Sequence, residues 1–287
     1  MRKNLLALMP KHKVYVEVFG GGAQLLFAKK PYGLEVYNDI NGDLVNFFKV
    51  LADTELFEKF YRFVAVLPCS RELYNEYRET YRQEKEIWKR AAKWFLVANQ
   101  AYAGKFGDSW GFVVSEVHNN MSGQVSRWLS AIKILPEIHA RLQRVQIENQ
   151  DFRKLIPKYD SEDTFFYLDP PYILDTRKSG EAYECEMTDD DHKELVEILL
   201  NIKGQAILSG YENDIYKPLG NAGWQRKEFQ TQLSSINPRY TNGKRDYATE
   251  IVWLKLKPEN DLFSQKKRAK KRANGLKPSN SSEAGLK

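Results

Sequence analysis

Cysteine is nearly missing from this chain of 287 residues: Cys69 and Cys185 stand alone. Neither a disulfide framework nor a four-cysteine zinc site can be built from two thiols. Histidine is almost as scarce, and His12, His118, His139 and His192 lack the spacing of metal ligands. No metal is therefore expected. Apolar runs such as residues 64–67 and 206–208 fall far short of the roughly 20 residues that a membrane helix needs. The first ten residues are basic and then apolar, but Lys11, His12 and Lys13 follow with no small-residue cleavage site. No internal repeat is visible, so a solenoid is not expected. What is present is 42% hydrophobic and 13% aromatic residues, too rich a mixture for a disordered chain. A soluble, cytoplasmic globular protein of one large or two modest domains is expected.

The net charge of +6 is unevenly spread. Residues 1–53 carry +2, 54–148 carry +3, 149–263 carry −6 and 264–287 carry +7. The basic run Lys266-Lys267-Arg268-Ala269-Lys270-Lys271-Arg272 and the Gly/Pro/Ser/Asn stretch after it have little to bury, so 259–287 reads as a disordered basic tail. Such a tail suits either non-specific binding to a polyanion or a merely solvated end.

Hydrophobic patterning places strands at residues 14–19, 34–37, 145–147, 164–168, 205–208, 224–231 and 251–256. Helices are expected at 23–30, 43–51 and 188–202, the last opened by Thr188 with acids at 189–191 in its first turn. Strands alternating with helices predict an α/β fold with a doubly wound, mostly parallel sheet. Residues 54–142 break that alternation. They are helical in pattern and rich in Arg, Tyr and Trp, with a loop-like, glycine-containing stretch at 103–123. They read as an insertion between 1–53 and 143–258, which together make the α/β domain.

Two turns carry chemistry. Phe19-Gly20-Gly21-Gly22-Ala23 ends the first strand and opens a helix, where backbone N–H groups are free and a ligand can come close. Asn38-Asp39 ends the next strand, about 20 residues on, where an acid meets ribose hydroxyls in nucleoside sites. Position 25 is Leu, so the dinucleotide fingerprint fails, and either a nucleoside cofactor or simple packing accounts for the glycines. The sharper feature is Thr164-Phe165-Phe166-Tyr167-Leu168-Asp169-Pro170-Pro171-Tyr172. It sets an acid, two prolines and a tyrosine at the carboxyl edge of a strand, the edge at which open α/β sheets bind ligands. The prolines fix φ and remove two donors, leaving outward carbonyls. Asp169 can accept a hydrogen bond from an exocyclic amine, and Tyr172 offers a flat face to a base.

This arrangement resembles the Dam-like DNA adenine-N6 methyltransferases, which use S-adenosylmethionine. The family's Glu-Pro-Phe-x-Gly-x-Gly turn is similar to Glu17-Val18-Phe19-Gly20-Gly21-Gly22, with Val18 in place of Pro. Its Asn-Asp pair is matched by Asn38-Asp39, an Asp-Phe pair by Asp151-Phe152, and its catalytic motif by Asp169–Tyr172. Leu208-Ser209-Gly210-Tyr211 and the segment from Arg245 through Glu250-Ile251-Val252-Trp253 also look familial. The matches run in the family's order over roughly residues 5–257. One motif departs: nothing matches the family's opening Pro-Gly-Gly-Lys, since Met1-Arg2-Lys3-Asn4 stands where the following helix is expected. That departure bears on cofactor affinity.

The resemblance implies a methyltransferase-type sheet with an inserted helical target-recognition domain. It implies methyl transfer from S-adenosylmethionine to adenine N6 in a specific double-stranded DNA sequence, with the base flipped into the Asp-Pro-Pro-Tyr pocket. Asp169, Pro170, Pro171 and Tyr172 would be catalytic. Glu17, Phe19, Gly20, Gly22, Asp39, Asp151 and Phe152, again with Asp169, would bind the cofactor. Arg71, Arg78, Lys105 and Arg127 are candidates for phosphate or base contacts in the 54–142 segment, with Trp110 and Phe112 placed for insertion into a groove. A monomer or weak dimer in a bacterial or phage-infected cell is expected, without membrane partners. Methylation of cytosine N4 and a non-catalytic DNA-binding relative are the alternatives.

Overall fold

The computed structural model describes residues 1–102, 105–111, 117–118, 120–173, 185–232 and 247–257. The basic tail, Phe112 and Arg245 lie outside the described residues. A short helix α1 (Arg2–Leu8) precedes β1 (Val14–Glu17), α2 (Gln24–Ala28), β2 (Leu34–Asn38) and α3 (Gly42–Ala52). A helical stretch follows, with α4 (Thr54–Val66), α5 (Arg71–Thr80), α6 (Ile87–Gln100), the two-residue strands β3 (Val117–His118) and β4 (Met121–Ser122), and α7 (Gly123–Leu142). The alternation then resumes through β5 (Val145–Glu148), α8 (Phe152–Tyr159), β6 (Thr164–Leu168), α9 (Asp189–Asn201), β7 (Gln205–Gly210), α10 (Lys217–Asn221), β8 (Gln225–Gln232) and β9 (Tyr247–Lys255).

Among the described residues seven strands form one sheet in the order β5-β2-β1-β6-β7-β9-β8. β1 pairs in parallel with both β2 and β6, β2 with β5, and β6 with β7, whereas β9 runs antiparallel between β7 and β8. The expected doubly wound, mostly parallel sheet is present. Strand order reverses between β1 and β6, so a crevice opens there at the carboxyl ends. The hairpin β3–β4 falls in the stretch read from sequence as loop, because two-residue strands are too short to show a period.

Side-chain alternation along the strands divides the core. Tyr15, Tyr37, Phe165, Tyr167 and Ile207 pack on one face with α2, α3 and the helical stretch. Val16, Val36, Phe166, Leu168 and Leu208 pack on the other with α8 and α9. The helical stretch is joined to α3 through aromatics: Phe47 stacks on Phe95 with centroids 5.4 Å apart, and Phe95 meets Trp128 at 5.4 Å. Each fully buried aromatic contributes about 1.5–3 kcal/mol. An exposed ion pair contributes only about 0–1 kcal/mol, so apolar packing holds these helices on the sheet. Buried charge also ties them down. Glu35 of β2, only 2% exposed, receives Lys29 Nζ and Arg141 Nη1, the latter at 2.7 Å, linking α7 to the sheet.

Local sequence chemistry sets the helix starts near the crevice. Asn41 caps α3 by accepting from the N–H groups of Asp43 and Leu44. Thr188 caps α9 as expected, and Asp191 returns the bond to the Thr188 N–H at 2.7 Å, completing a capping box. Among the described residues no helix is long and apolar enough to cross a membrane.

Candidate active site

The crevice is a cleft of about 260 Å³. It is built from the segments that leave four parallel strands: Val18, Phe19 and Gly21 after β1, residues 38–41 after β2, residues 150–153 after β5, and Asp169 and Pro171 after β6. Cys185, Glu186, Met187 and Asp191 close one side.

The glycine turn is shaped by crowding. A Cβ on Gly20 would lie 2.2 Å from Tyr37 Cε2, and the Gly20 N–H donates to the Asn38 carbonyl at 2.7 Å, so only glycine lets these two turns touch. Gly21 takes a left-handed φ of +48° and presents its N–H to Asp39 Oδ2 at 2.8 Å. The other oxygen of Asp39 accepts from the Asn41 N–H, also at 2.8 Å. Burial pushes the Asp39 carboxyl above its ordinary range, while these backbone donors pull it back. Each oxygen keeps a lone pair for a ligand hydroxyl. Asn38 staples the strand ends together, donating to the carbonyls of Val18 and Gln150 at 2.8 and 3.0 Å.

After β5, Asp151 caps α8 by accepting from the Arg153 N–H, and Phe152 meets Phe19 at 5.8 Å across the cleft. The Arg153 guanidinium lies over the Phe152 ring at 4.5 Å and pairs with Asp151, Asp191 and Glu194, fixing this wall to α9.

Asp169 ends β6. It is reached through the cleft, yet protein surrounds its carboxylate on the remaining sides. That burial, reinforced by the charge of Glu250, pushes its pKa up to about 6, against the pull of the Tyr172 and Tyr167 hydroxyls. The Tyr167 hydroxyl donates to Oδ2 at 3.3 Å. Tyr172 donates to Glu250 Oε1 at 2.6 Å and meets the Tyr211 ring edge-on at 4.8 Å. Pro170 is buried under the turn and Pro171 lines the cleft.

Of the residues singled out in the sequence, Phe19, Asp39, Asp151, Phe152, Asp169 and Pro171 converge on the cleft. Glu17 does not line it. It is 2% exposed beneath the glycine turn, where Oε2 accepts from the Tyr15 hydroxyl and the Leu26 N–H, each at 3.0 Å. Burial pushes its pKa up to about 8. Gly20 and Gly22 shape the turn, while Gly21 between them faces the cleft. Arg153 and Met187 are wall residues without a motif of their own. Glu250 had a signal only in its resemblance to the family's last segment.

The basic candidates lie on the helical stretch. Arg71 covers the Trp110 ring at 4.9 Å, Arg78 donates to the Asp108 carbonyl at 3.5 Å, and Lys105 is exposed in the same 105–111 turn. Arg127 is exposed on α7, near enough to Cys69 for its charge to act on that thiol. Trp110 spends its indole N–H on Gln100 Oε1 at 3.3 Å.

The family model of the D12 class N6 adenine-specific DNA methyltransferases matches residues 2–233. The chain belongs to that family. Its reaction is methyl transfer to the N6 amine of adenine in DNA. No curated protein matches the chain. Among solved structures, the precorrin-6y C5,15-methyltransferase of Geobacter metallireducens GS-15 is similar with a TM-score of 0.37 and 8% identity, over 89% of this chain and 87% of that one.

Proposed function

We propose that this D12-class enzyme uses S-adenosylmethionine and methylates adenine in a specific duplex sequence after flipping the base out of the stack. The observation that carries this reading is the meeting of the two halves at one cleft. Asp39, Phe19 and Phe152 form a nucleoside-shaped wall, and Asp169 closes the far end with an acceptor-only group. The donor set fits the cofactor: an acid with two fixed backbone donors suits ribose hydroxyls, and the apolar rings of Phe19 and Phe152 suit adenine. S-adenosylmethionine supplies an electrophilic methyl carbon bonded to a positively charged sulfur.

The protein's own work is placement and electrostatics. N6 of adenine is unreachable inside the duplex, so the base leaves the stack to enter the cleft. Asp169 and the Pro170 carbonyl accept the two amine hydrogens, which turns the nitrogen lone pair toward the methyl donor. Negative charge at Asp169 also favours the positive charge that develops on the amine during transfer. Tyr172 provides the stacking face. Residues 54–142 act as the target-recognition unit, with Arg71, Arg78, Lys105 and Arg127 toward the DNA backbone.

The test is transfer of tritiated methyl groups from S-adenosylmethionine to unmethylated DNA, followed by nucleoside analysis. Label is expected in N6-methyladenine. Asp169→Ala is expected to abolish transfer while calorimetry finds the cofactor bound nearly as before. Retained transfer by that variant overturns the assignment of the site.

A further inference from the structure

Glu250 projects from β9, the antiparallel strand wedged between β7 and β8, to the Tyr172 hydroxyl at 2.6 Å. Nothing in the strand requires an acid there. β9 is held by its ladders to β7 and β8, and Glu250 pairs in register with Phe229. Holding a tyrosine hydroxyl needs only an acceptor, which glutamine supplies without charge. A carboxylate there instead adds negative charge that opposes the ionisation of Asp169.

The groups that act on this corner come from every neighbouring element. They are Glu17 on β1, Tyr167 on β6, Tyr172 in the turn, Tyr211 after β7, Tyr216 before α10 and Glu250 on β9. Each is an acid or a phenol. The corner therefore disfavours further negative charge and welcomes positive charge.

Resting on the site assignment above, we propose that Glu250 is a positioning residue for methyl transfer: it fixes the Tyr172 ring through its hydroxyl and adds a second negative charge beside the reacting amine. As the N6 lone pair forms the new N–C bond, the C–S bond breaks with its electrons on sulfur. The amine nitrogen carries a positive charge until it gives a proton to Asp169 and then to water. The field of Glu250 favours that charge. Its contribution to the raised pKa of Asp169 makes the latter a better proton acceptor than an ordinary aspartate.

Two substitutions separate the ring from the charge. Glu250→Gln keeps an acceptor for Tyr172 and removes the charge. Single-turnover rates should fall roughly tenfold, less than the 10²–10³ lost with a direct contact, with KM for DNA unchanged. The acid limb of the pH–rate profile should move down by about 1 pH unit once the like charge is gone. Glu250→Ala removes the acceptor as well, so KM for the DNA target should rise in addition. Melting temperature and S-adenosylmethionine affinity, measured on both variants, report whether the fold and cofactor wall are intact. A Gln variant with wild-type rate and an unmoved acid limb overturns the proposal. So does a loss of rate that follows thermal stability alone. Asp169→Ala in the same assay keeps the failures apart: turnover by that variant removes the site assignment itself, whereas its inactivity beside an unaltered Glu250→Gln removes only the role of Glu250.

Discussion

Asp39 and Asp151, at the ends of β2 and β5, are held by backbone N–H groups, whereas Asp169 and Glu250 meet tyrosine hydroxyls and each other's charge. Backbone donors belong to turns and helix ends that cannot move without unfolding something. They fix the position of an acid. Tyrosine hydroxyls sit on side chains rather than on fixed backbone, and the charge of Glu250 opposes the ionisation of Asp169. The half proposed to take the nucleoside is thus fixed by backbone, and the half proposed to carry the chemistry sets like charges side by side.

That contrast breaks most visibly at Asp169. Asp169→Asn should lower the transfer rate on the order of 10³-fold while raising stability above pH 6. The folded pKa is raised to about 6 from an ordinary value of 3.8. Its stabilising contribution is therefore complete below about 3.8 and lost as pH rises through 6. Thermal melts across pH 4–8, with the two proteins diverging as pH rises, check this. A wild-type rate that fails to drop as pH falls through 6 contradicts the acceptor role, because a protonated carboxyl presents a donor.

On the other half, Asp39→Ala should weaken S-adenosylmethionine binding by roughly 10–100-fold, the size of a lost charge-assisted hydrogen bond. The rate at saturating cofactor should change little. A variant with normal affinity and a collapsed rate would merge the two halves. Beneath them, Glu17→Gln should change stability without entering either measurement. With its pKa raised to about 8 from 4.5, Glu17 loses its stabilising contribution as pH rises between those values. The Gln variant should gain on the wild type by a few kcal/mol across that window, read as a rising difference in melting temperature. The smallest effect is expected at Lys105→Ala, which should weaken DNA binding alike for all sequences and lower the salt slope by about 1.

The sequence revealed the rigid half and the β6 turn because both are local. Four apolar residues from Phe165 to Leu168, led by the buried Thr164, fix a strand buried on both faces, and Asp169 must then stand at its edge. Gly20, Asp39 and Thr188 likewise act within a few residues or on the adjacent strand. What stayed hidden depends on pairing across the chain. Glu250 reaches Tyr172 only because β9 inserts beside β7, and a pattern of alternating residues does not say which acid a distant strand will present. Glu17 shows the converse. Its place in a motif implies a ligand contact, but strand alternation turns it inward beneath α2. Arg71 and Trp110 come together through tertiary packing of the helical stretch, which no spacing encodes.

The position of β9 also sets an order of assembly during synthesis. Strands β1 to β8 precede it in the chain, and β8 reaches its place in the sheet only once β9 pairs between it and β7. A nascent chain can bring the turns after β1, β2 and β5 together early, but the corner that holds Tyr172 waits for residue 250. Until then β7 is an open edge, able to pair with any strand that reaches it. The last insertion both covers that edge and brings Glu250 to Tyr172, so a chain that stops short of β9 lacks that contact even where the turns after β1, β2 and β5 already stand together.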